Sequence, residues 1–411
     1  MAAFAPLPSA GYLVGGAVRD HFLGRANSDL DWLVPDPETE ARRSAALLAG
    51  SAFALDPERG QWRVAADEGV RDYLPLAPDL GSDLEQRDFT VNALALDLAG
   101  KLVDPCGGLR DLRERTLRLA RADALERDPL RAWRALRLLA TLRFRLEPGT
   151  RAALARCAAA QAEGRLPLPA WERVGAELER LLSSPKGADA LLLAHDLGLL
   201  RLALPELAEA ERTEQGGFHH LDVLRHSLEA LNQLVQGFPE ADLALRWATL
   251  LHDVGKPRTE HRDASGGRHF YGHAKLGAEL GERALTRLRY PERLVRRVSK
   301  LVHDHMLPLP RSEREARRFV HRRRELLPDL LKLMIADREA ARGPLSSAAS
   351  RRAYRLALAR VLEILAEPPP KAPLLSGLEV MKLLGLEPGP RVGEALRLVA
   401  ESEPGGDGRN R

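Results

Sequence analysis

This sequence of 411 residues has few cysteines, no long apolar run and only a small excess of one charge. The two cysteines, Cys106 and Cys157, offer no disulfide framework, so we expect a reducing, cytoplasmic environment. No run of about 18 apolar residues occurs, so we expect no membrane-spanning helix. The first residues lack the basic start of a secretory signal peptide. The net charge of +4 and the pI near 9.2 permit a nucleic-acid partner without requiring one.

A stretch near the start of the chain, residues 11–34, has the features of a phosphate-binding turn. Residues 12–14 predict a buried strand, and residues 17–23 predict the first turns of a helix. Gly15 and Gly16 lie between them, in a turn that a side chain would block. The free N–H groups of such a turn and the positive end of the helix dipole point the same way, so the turn can hold a phosphate.

Charged side chains lie on both sides of this turn. Arg19 is in the first turn of the predicted helix and can add a bidentate contact to the phosphate. In the next predicted strand, residues 28–34, alternation places Asp29 and Asp31 on one face. Two carboxylates so placed repel each other unless a cation lies between them, and Mg²⁺ prefers oxygen ligands of this kind.

The order of strand, Gly-Gly, helix and Asp-x-Asp strand resembles the first signature of the class II tRNA nucleotidyltransferases and bacterial poly(A) polymerases. That family belongs to the polymerase-β-like nucleotidyltransferases. Transfer that uses two metal ions needs a third carboxylate. The resemblance places it at Asp72, in a predicted strand over residues 70–76. The alternative for Asp72 is an exposed strand aspartate without a ligand.

A second signature of the same family matches residues 83–112. The resemblance implies that Arg87 bridges the triphosphate, and that Asp88 and Asn92 serve the ribose and hold the turn. For Asn92 alone, a hydrogen bond that packs a helix is the simpler interpretation. The family usually has arginine at position 86, where this chain has glutamine, so one positive charge near the phosphates is missing.

A third segment, DPLRAWRALR, predicts a helix that begins at Asp128. Spacings of three place four charged side chains along one face of it: Asp128, Arg131, Arg134 and Arg137. The resemblance implies that this face is an amino-acid template, in which Asp128 and Arg131 read the incoming base and Arg134 contacts the triphosphate. A carboxylate can accept from the exocyclic amine of cytosine or adenine, whereas uracil and guanine present the wrong pattern. The alternative is a helix N-cap followed by a solvated arginine stripe. The family commonly has glutamate at position 127, where this chain has Arg127.

Most of the histidines lie between residues 219 and 337, and their order resembles that of an HD domain, a helical metal phosphohydrolase module. The resemblance implies ligands for a first metal ion and for its extension to a second: His226, His252, Asp253 and Asp337, then His273 and His303. Imidazole together with carboxylate suits Mn, Ni, Co, Fe or Zn. Other histidines of the segment, including His305, are expected to be structural or on the surface.

From about residue 120, Leu, Ala and Arg recur at spacings of three and four, which is typical of helices. We therefore expect an α+β chain of four parts: a nucleotidyltransferase head at 1–119, a helical neck at 120–215, an HD domain at 216–345 and a helical tail at 346–411 that contacts tRNA. The expected reaction is template-independent transfer of CMP from CTP, and in a fuller form also AMP from ATP, to the tRNA 3′ hydroxyl. The alternatives are a poly(A) polymerase, or an HD phosphohydrolase acting on RNA 2′,3′-cyclic or 2′-phosphate ends.

The spacing between the third carboxylate and the second signature bears on how many nucleotides are added. Fourteen residues separate Asp72 from Arg87, and Pro78 and Gly81 predict a tight turn among them. Family members that build all of CCA carry a longer flexible loop at this point, and members that stop after two cytidines lack it. The resemblance therefore favours a CC-adding enzyme that works in sequence with a separate A-adding enzyme, with full CCA addition as the alternative.

Overall fold

The computed structural model describes residues 1–215, 220–264, 266–343, 345–368 and 376–401. It has the α+β organisation that the sequence predicts, with a sheet in the first part of the chain and helices after it. Within the described residues, no helix combines the length and apolar composition needed to cross a bilayer. The predicted start of the HD domain at residue 216 and the end of the tail, 402–411, lie outside the described residues.

A seven-stranded mixed sheet forms the head. Its strands β1 to β7 span Tyr12–Val14, Asp29–Val34, Ser51–Asp56, Gln61–Ala66, Gly69–Pro75, Ala95–Asp97 and Leu102–Val103. Their order in the sheet is β3-β4-β5-β2-β1-β6-β7. Strands β2 and β5 pair in parallel, whereas the other neighbours pair antiparallel. Buried residues around the central strands form a core: Val14, Leu33, Leu84, Ala93 and Ala95.

Four helices complete the head: α1 (Gly16–Phe22), α2 (Pro37–Leu48), α3 (Leu80–Glu85) and α4 (Gly108–Arg113). Local sequence explains where they begin. The Asp36 carboxylate accepts the Thr39 N–H at the start of α2, and a proline occupies the first helical position. Asn92, expected on a helix, ends a single 3₁₀ turn, Thr90–Asn92.

The N-terminal arm, residues 1–10, is fastened to the sheet by one buried arginine. The Arg71 guanidinium, on β5, donates hydrogen bonds to the backbone carbonyls of Phe4, Ala5 and Pro6. The Phe4 side chain is itself buried and packs edge-on against the His21 ring of α1. The arm therefore belongs to the folded head, next to the strand residue that precedes Asp72.

The neck follows β8 (Thr116–Leu117), the last strand of the head, which pairs in parallel with β9 (Arg145–Leu146) of the neck. Its helices α5 to α11 span Ala124–Arg127, Arg131–Leu142, Pro148–Ala162, Trp171–Leu182, Gly187–Asp196, Leu199–Ala203 and Pro205–Ala208. The prediction that a helix begins at Asp128 is wrong by three residues. The backbone of Asp128 is extended, and α6 begins at Arg131.

The helices that follow, α12 to α17, span Val223–Gly237, Leu243–Leu251, His273–Arg287, Glu292–Asp304, Glu313–Arg323 and Leu327–Ala340. A small hairpin, β10 (His261–Arg262) with β11 (Arg268–His269), precedes α14. The last helices, α18 to α20, span Ala348–Ala366, Gly377–Leu384 and Pro390–Glu401.

The chain divides into two compact units. The first contains Met1–Pro308 and Leu326–Arg352, and the second contains Leu309–Glu325 and Ala353–Arg411. All of the predicted site residues lie in the first unit. In the second unit, a capping box formed by Ser376 and Glu379 starts α19, which packs against α20.

Candidate functional site

The Gly-Gly turn lies directly against two charged side chains of the head. Gly15 has φ +74, and a Cβ at this position would lie 2.9 Å from Nη1 of Arg87 and 3.5 Å from Oδ2 of Asp31. A side chain would therefore be strained by its backbone angle and would collide with the arginine. The structure thus brings together the phosphate-binding turn, one predicted carboxylate and one predicted triphosphate contact.

Asp31 is the most electrostatically perturbed carboxylate of this group. Its Cα pairs with that of Asp72 in the parallel β2–β5 ladder. Burial, with the carboxylates of Asp72 and Asp29 nearby, raises the pKa of Asp31 to about 6 against the opposing effect of Arg87. Mg²⁺ prefers carboxylate oxygens, and a divalent cation would reduce the repulsion between these groups. Among the described residues, however, Asp29, Asp31 and Asp72 do not form one of the groups whose ligand atoms lie within 4.8 Å of one another.

Asp72 has a partner that the sequence analysis missed. Arg63, on β4, donates to both carboxylate oxygens of Asp72 at 2.7 Å. The two residues face each other across the β4–β5 hairpin, so the register of that hairpin was the signal that could have revealed the pair. Asp29 is exposed at the start of β2.

The Arg19 guanidinium lies close to the turn, since a Cβ on Gly16 would be 3.5 Å from its Nη2, and it is held there by protein groups. It donates to both oxygens of Asp20 and, at 2.8 Å, to Oδ1 of Asn92. The amide of Asn92 in turn donates to the buried carboxylate of Asp88. In this structure Arg19 therefore links α1 to the second signature segment, and its bidentate phosphate contact stays a prediction.

Two arginines of the predicted stripe on α6 form ion pairs with buried carboxylates. Arg134 donates to Asp88 at 3.0 Å and to Glu177 of α8 at 3.3 Å. Arg137 donates to the other oxygen of Glu177, which is 5% exposed. Asp88 is buried, yet Arg134 and hydrogen bonds from Asn92 and the Phe89 N–H hold its pKa below the ordinary value. The alternative of a solvated arginine stripe therefore does not describe these two residues.

The two residues predicted to read the base, Asp128 and Arg131, also contact protein groups. Arg131 donates to the backbone carbonyls of Gln86, at 2.9 Å, and Arg87, at 3.3 Å. Asp128 lies in the turn before α6, where one carboxylate oxygen accepts the Leu130 N–H and the other accepts from Arg173. The start of α6 is thus linked to the first residues of the second signature.

A second cluster, made of predicted metal ligands, forms where helices of the HD segment meet. His226 comes from α12, His252 follows the last residue of α13, and Asp337 comes from α17. Nε2 of His226 lies 2.9 Å from Asp337 Oδ1, and Nε2 of His252 lies 3.1 Å from Asp253 Oδ2. The ligand atoms of His226, His252 and Asp253 all lie within 4.8 Å of one another.

The other oxygen of Asp253 faces a second group. His273 Nε2 lies 3.4 Å and His305 Nε2 lies 3.6 Å from Asp253 Oδ1. His303, which the sequence analysis placed here, is exposed and hydrogen-bonds the neighbouring Asp304. His305 follows the end of α15 and takes its place, because the helix points this later side chain inward. Asp253 therefore lies between two groups of imidazoles.

The hydrogen bonds of this HD cluster suit metal ligation. Nδ1 of His252, His273 and His305 each lies 2.7–2.8 Å from a backbone carbonyl three residues earlier, so Nδ1 carries the proton and Nε2 is the atom that could bind a metal. These three Nε2 atoms and Asp253 Oδ1 are buried without a hydrogen-bond partner in the described part of the chain. Burial lowers the pKa of His273 to about 4. Burial acts to lower the pKa of His252 as well, but Asp253 and Asp337 raise it to about 10, so a bound cation would compete there with a proton.

A glycine turn facing strand carboxylates, with a separate histidine–aspartate cluster in a helical segment, is the composition of a nucleotidyltransferase that carries an HD module. Comparisons with known proteins agree with this class. Three family models match the chain: the Poly A polymerase head domain at 56–118, the probable RNA and SrmB-binding site of polymerase A at 143–211, and the HD domain at 218–342.

Two relatives align with the chain over nearly its whole length. An A-adding tRNA nucleotidyltransferase of Deinococcus radiodurans is 58% identical over 98% of this chain and 93% of its own. A CC-adding tRNA nucleotidyltransferase of Thermus thermophilus is 46% identical over 97% and 91%. The fold is similar to the crystal structure of the Bacillus stearothermophilus CCA-adding enzyme in complex with CTP, at 23% identity and a TM-score of 0.64 over 95% and 87% of the chains. The chain therefore belongs to the tRNA nucleotidyltransferase family and is an enzyme.

Proposed function

We propose that this enzyme adds only part of the CCA sequence to tRNA, transferring two CMP units from CTP and leaving the terminal A to a separate A-adding enzyme. The observation that carries the choice of CC is the short connection after β5. Strand β5 ends at Pro75 and α3 begins at Leu80. The Asp79 carboxylate accepts hydrogen bonds from the Gly81 N–H and the Ser82 hydroxyl, which close the turn.

A closed turn restricts the base pocket because it provides no flexible loop that would let α6, the helix proposed to read the base, change position. Adenine is larger than cytosine, so one pocket can take both bases only if α6 shifts. The hydrogen bonds from Arg131 to the carbonyls of Gln86 and Arg87 tie the start of α6 to the segment after this turn. A fixed helix beside a closed turn supports one base size rather than two.

The roles proposed for the head residues follow from their positions. The turn at Gly15 and Gly16, together with Arg87, binds the triphosphate. Asp128 and Arg131 read the base. Asp29, Asp31 and Asp72 would hold Mg²⁺, which when bound supplies charge neutralisation at the phosphates and lowers the pKa of the attacking 3′ hydroxyl. The tRNA 3′ oxygen forms a bond to the α-phosphorus, and pyrophosphate leaves.

A second candidate is addition of a single A to tRNA that already ends in CC. It is favoured by the higher identity to the A-adding relative, 58% against 46% for the CC-adding one. Both relatives are named for part of CCA, so this candidate keeps the division of labour and changes only which enzyme supplies which nucleotide.

The experiment that tests the proposal uses tRNA transcripts that end at the discriminator base, at C and at CC. Each transcript is incubated with Mg²⁺ and CTP, ATP or both, and the products are resolved on a sequencing gel. Products that stop at CC support the proposal, and one-nucleotide growth restricted to the CC transcript with ATP supports the second candidate. Efficient conversion of the discriminator transcript to full CCA overturns both. Asp31→Ala, purified in parallel, controls for enzyme from the expression host.

We further propose that the HD cluster binds a transition metal, Mn, Ni, Co, Fe or Zn, and hydrolyses phosphate esters at a site separate from the head. The partnerless Nε2 atoms around Asp253 support it, since each has its tautomer set by a backbone carbonyl.

A further inference from the structure

The base-reading helix α6 has a partner helix, α8, that runs beside it in the same direction. Hydrogen bonds pair the two stretches in rising order along the chain: Asp128 with Arg173, Arg134 and Arg137 with Glu177, and Thr141 with Ser184. Apolar side chains such as Trp133 and Leu178 are buried on the other faces of the two helices. The polar face of α8 therefore lies along the face of α6 on which base recognition is proposed.

The first pair in this series determines the orientation of the Asp128 carboxylate. Its Oδ1 accepts the Leu130 N–H at 3.1 Å, and its Oδ2 accepts from Nη2 of Arg173 at 3.1 Å. The adjacent Arg127, which replaces the glutamate common in the family, donates instead to Asp123 at 2.7 Å. The residue next to Asp128 in sequence is thus turned away, and the charged group that holds Asp128 comes from α8.

We propose that Arg173 is a positioning residue that determines base specificity. Each carboxylate oxygen can accept more than one hydrogen bond, so Asp128 can hold Arg173 and still accept the exocyclic amine of a base. A freely rotating aspartate could also turn away, and it would then favour an amine over a carbonyl less strongly. This inference rests on the proposed role of Asp128 in reading the base.

The exposure of the pair separates this role from a structural one. The side chains of Arg173 and Asp128 are 54% and 27% exposed. Exposed ion pairs contribute little to stability. Loss of Arg173 should therefore leave the fold unchanged, and its effect should fall on the choice of base.

The test compares Arg173→Ala with Arg180→Ala, which removes the same charge from an exposed position two turns further along α8. Single-turnover kcat/KM is measured for CTP against UTP on a transcript ending at the discriminator base, and for ATP against GTP on one ending in CC. We expect Arg173→Ala to lower the preference for the amine-bearing base by about tenfold, within the range known for one specific base contact. Arg180→Ala should keep the preference, and Arg173→Lys should recover part of it. Melting temperatures should be equal throughout.

Asp128→Ala separates the inference from the proposed function. If Asp128→Ala relaxes the preference and Arg173→Ala does not, the role of Arg173 is refuted while base reading by Asp128 stands. If Asp128→Ala itself keeps the preference, the proposed base reading fails, and the inference fails with it. Given the positioning role, the double variant should be no less selective than Asp128→Ala alone, because Arg173 acts through that carboxylate. An additive loss would contradict the role.

Discussion

Replacement of Asp31 by asparagine should stabilise the metal-free head and abolish nucleotide addition. The pKa of Asp31 is raised on folding from 3.8 to about 6, because the carboxylate is buried beside Asp72 and Asp29 and is only partly compensated by Arg87. The stability that protonated Asp31 contributes is present below about pH 4 and is lost as the pH rises through about 6. Above that pH, the ionised carboxylate works against folding.

The size of the effect follows from the same values. The difference between 3.8 and about 6 corresponds to about 3 kcal/mol. Asp31 keeps some solvent contact, so we expect about 1–2 kcal/mol of extra stability for Asp31→Asn at about pH 8 in chelator. Mg²⁺ should then stabilise the natural protein and leave Asp31→Asn nearly unchanged.

Native-state hydrogen exchange of the amides in β2 and β5 measures this locally, which avoids treating a chain of several domains as two-state. Protection is compared with and without Mg²⁺ at about pH 8 and at about pH 5. At the lower pH the difference should shrink to roughly half, because that pH still lies above 3.8. If β2 were less protected in metal-free Asp31→Asn than in the natural protein at about pH 8, Asp31 would not be a repelled carboxylate and the reasoning would be wrong.

Two further predictions follow from the HD cluster and from α8. His305→Ala should lower any phosphatase activity and the metal content of the purified protein, measured by elemental analysis. His303→Ala should change neither property, and both variants should keep nucleotide addition. Equal metal loss in the two variants would contradict the ligand assignment. Glu177→Gln should lower the free energy of unfolding in denaturant by about 2 kcal/mol, because the two charge-assisted hydrogen bonds from Arg134 and Arg137 are weakened. Glu179→Gln, at an exposed position of the same helix, is the control. Equal effects of the two substitutions would contradict a stabilising role of the Glu177 hydrogen bonds.

The sequence predicted best what depends on local spacing. The strand that carries Asp31, the glycine turn before α1 and the helical neck all follow from alternation and from helical periodicity. The failures come from contacts between distant segments. The Arg63–Asp72 pair needs the hairpin register, and the Glu177 contacts need the packing of two helices 40 residues apart. No spacing rule reports either one.

His303 and His305 show the limit most clearly. Two histidines two residues apart at a helix end look alike in sequence, and the choice between them depends on where the last turn stops. Helix α15 ends at Asp304, so His305 turns toward Asp253 while His303 stays in solvent. Helix ends are the least predictable part of a helix, which is why spacing alone did not show which of the two histidines lies near Asp253.

The hydrogen bonds from Arg71 to the carbonyls of residues 4–6 fasten the N-terminal arm to the sheet that carries Asp72. During synthesis, more than sixty further residues must be added before Arg71 emerges from the ribosome. Until then the carbonyls of residues 4–6 can hydrogen-bond only to water. In the laboratory, the same contact means that a deletion of residues 1–6 would not be neutral. Such a deletion would leave the buried guanidinium of Arg71, the residue before Asp72, without its carbonyl acceptors. The shortened protein should lose transferase activity before it loses the circular-dichroism signal of its helices.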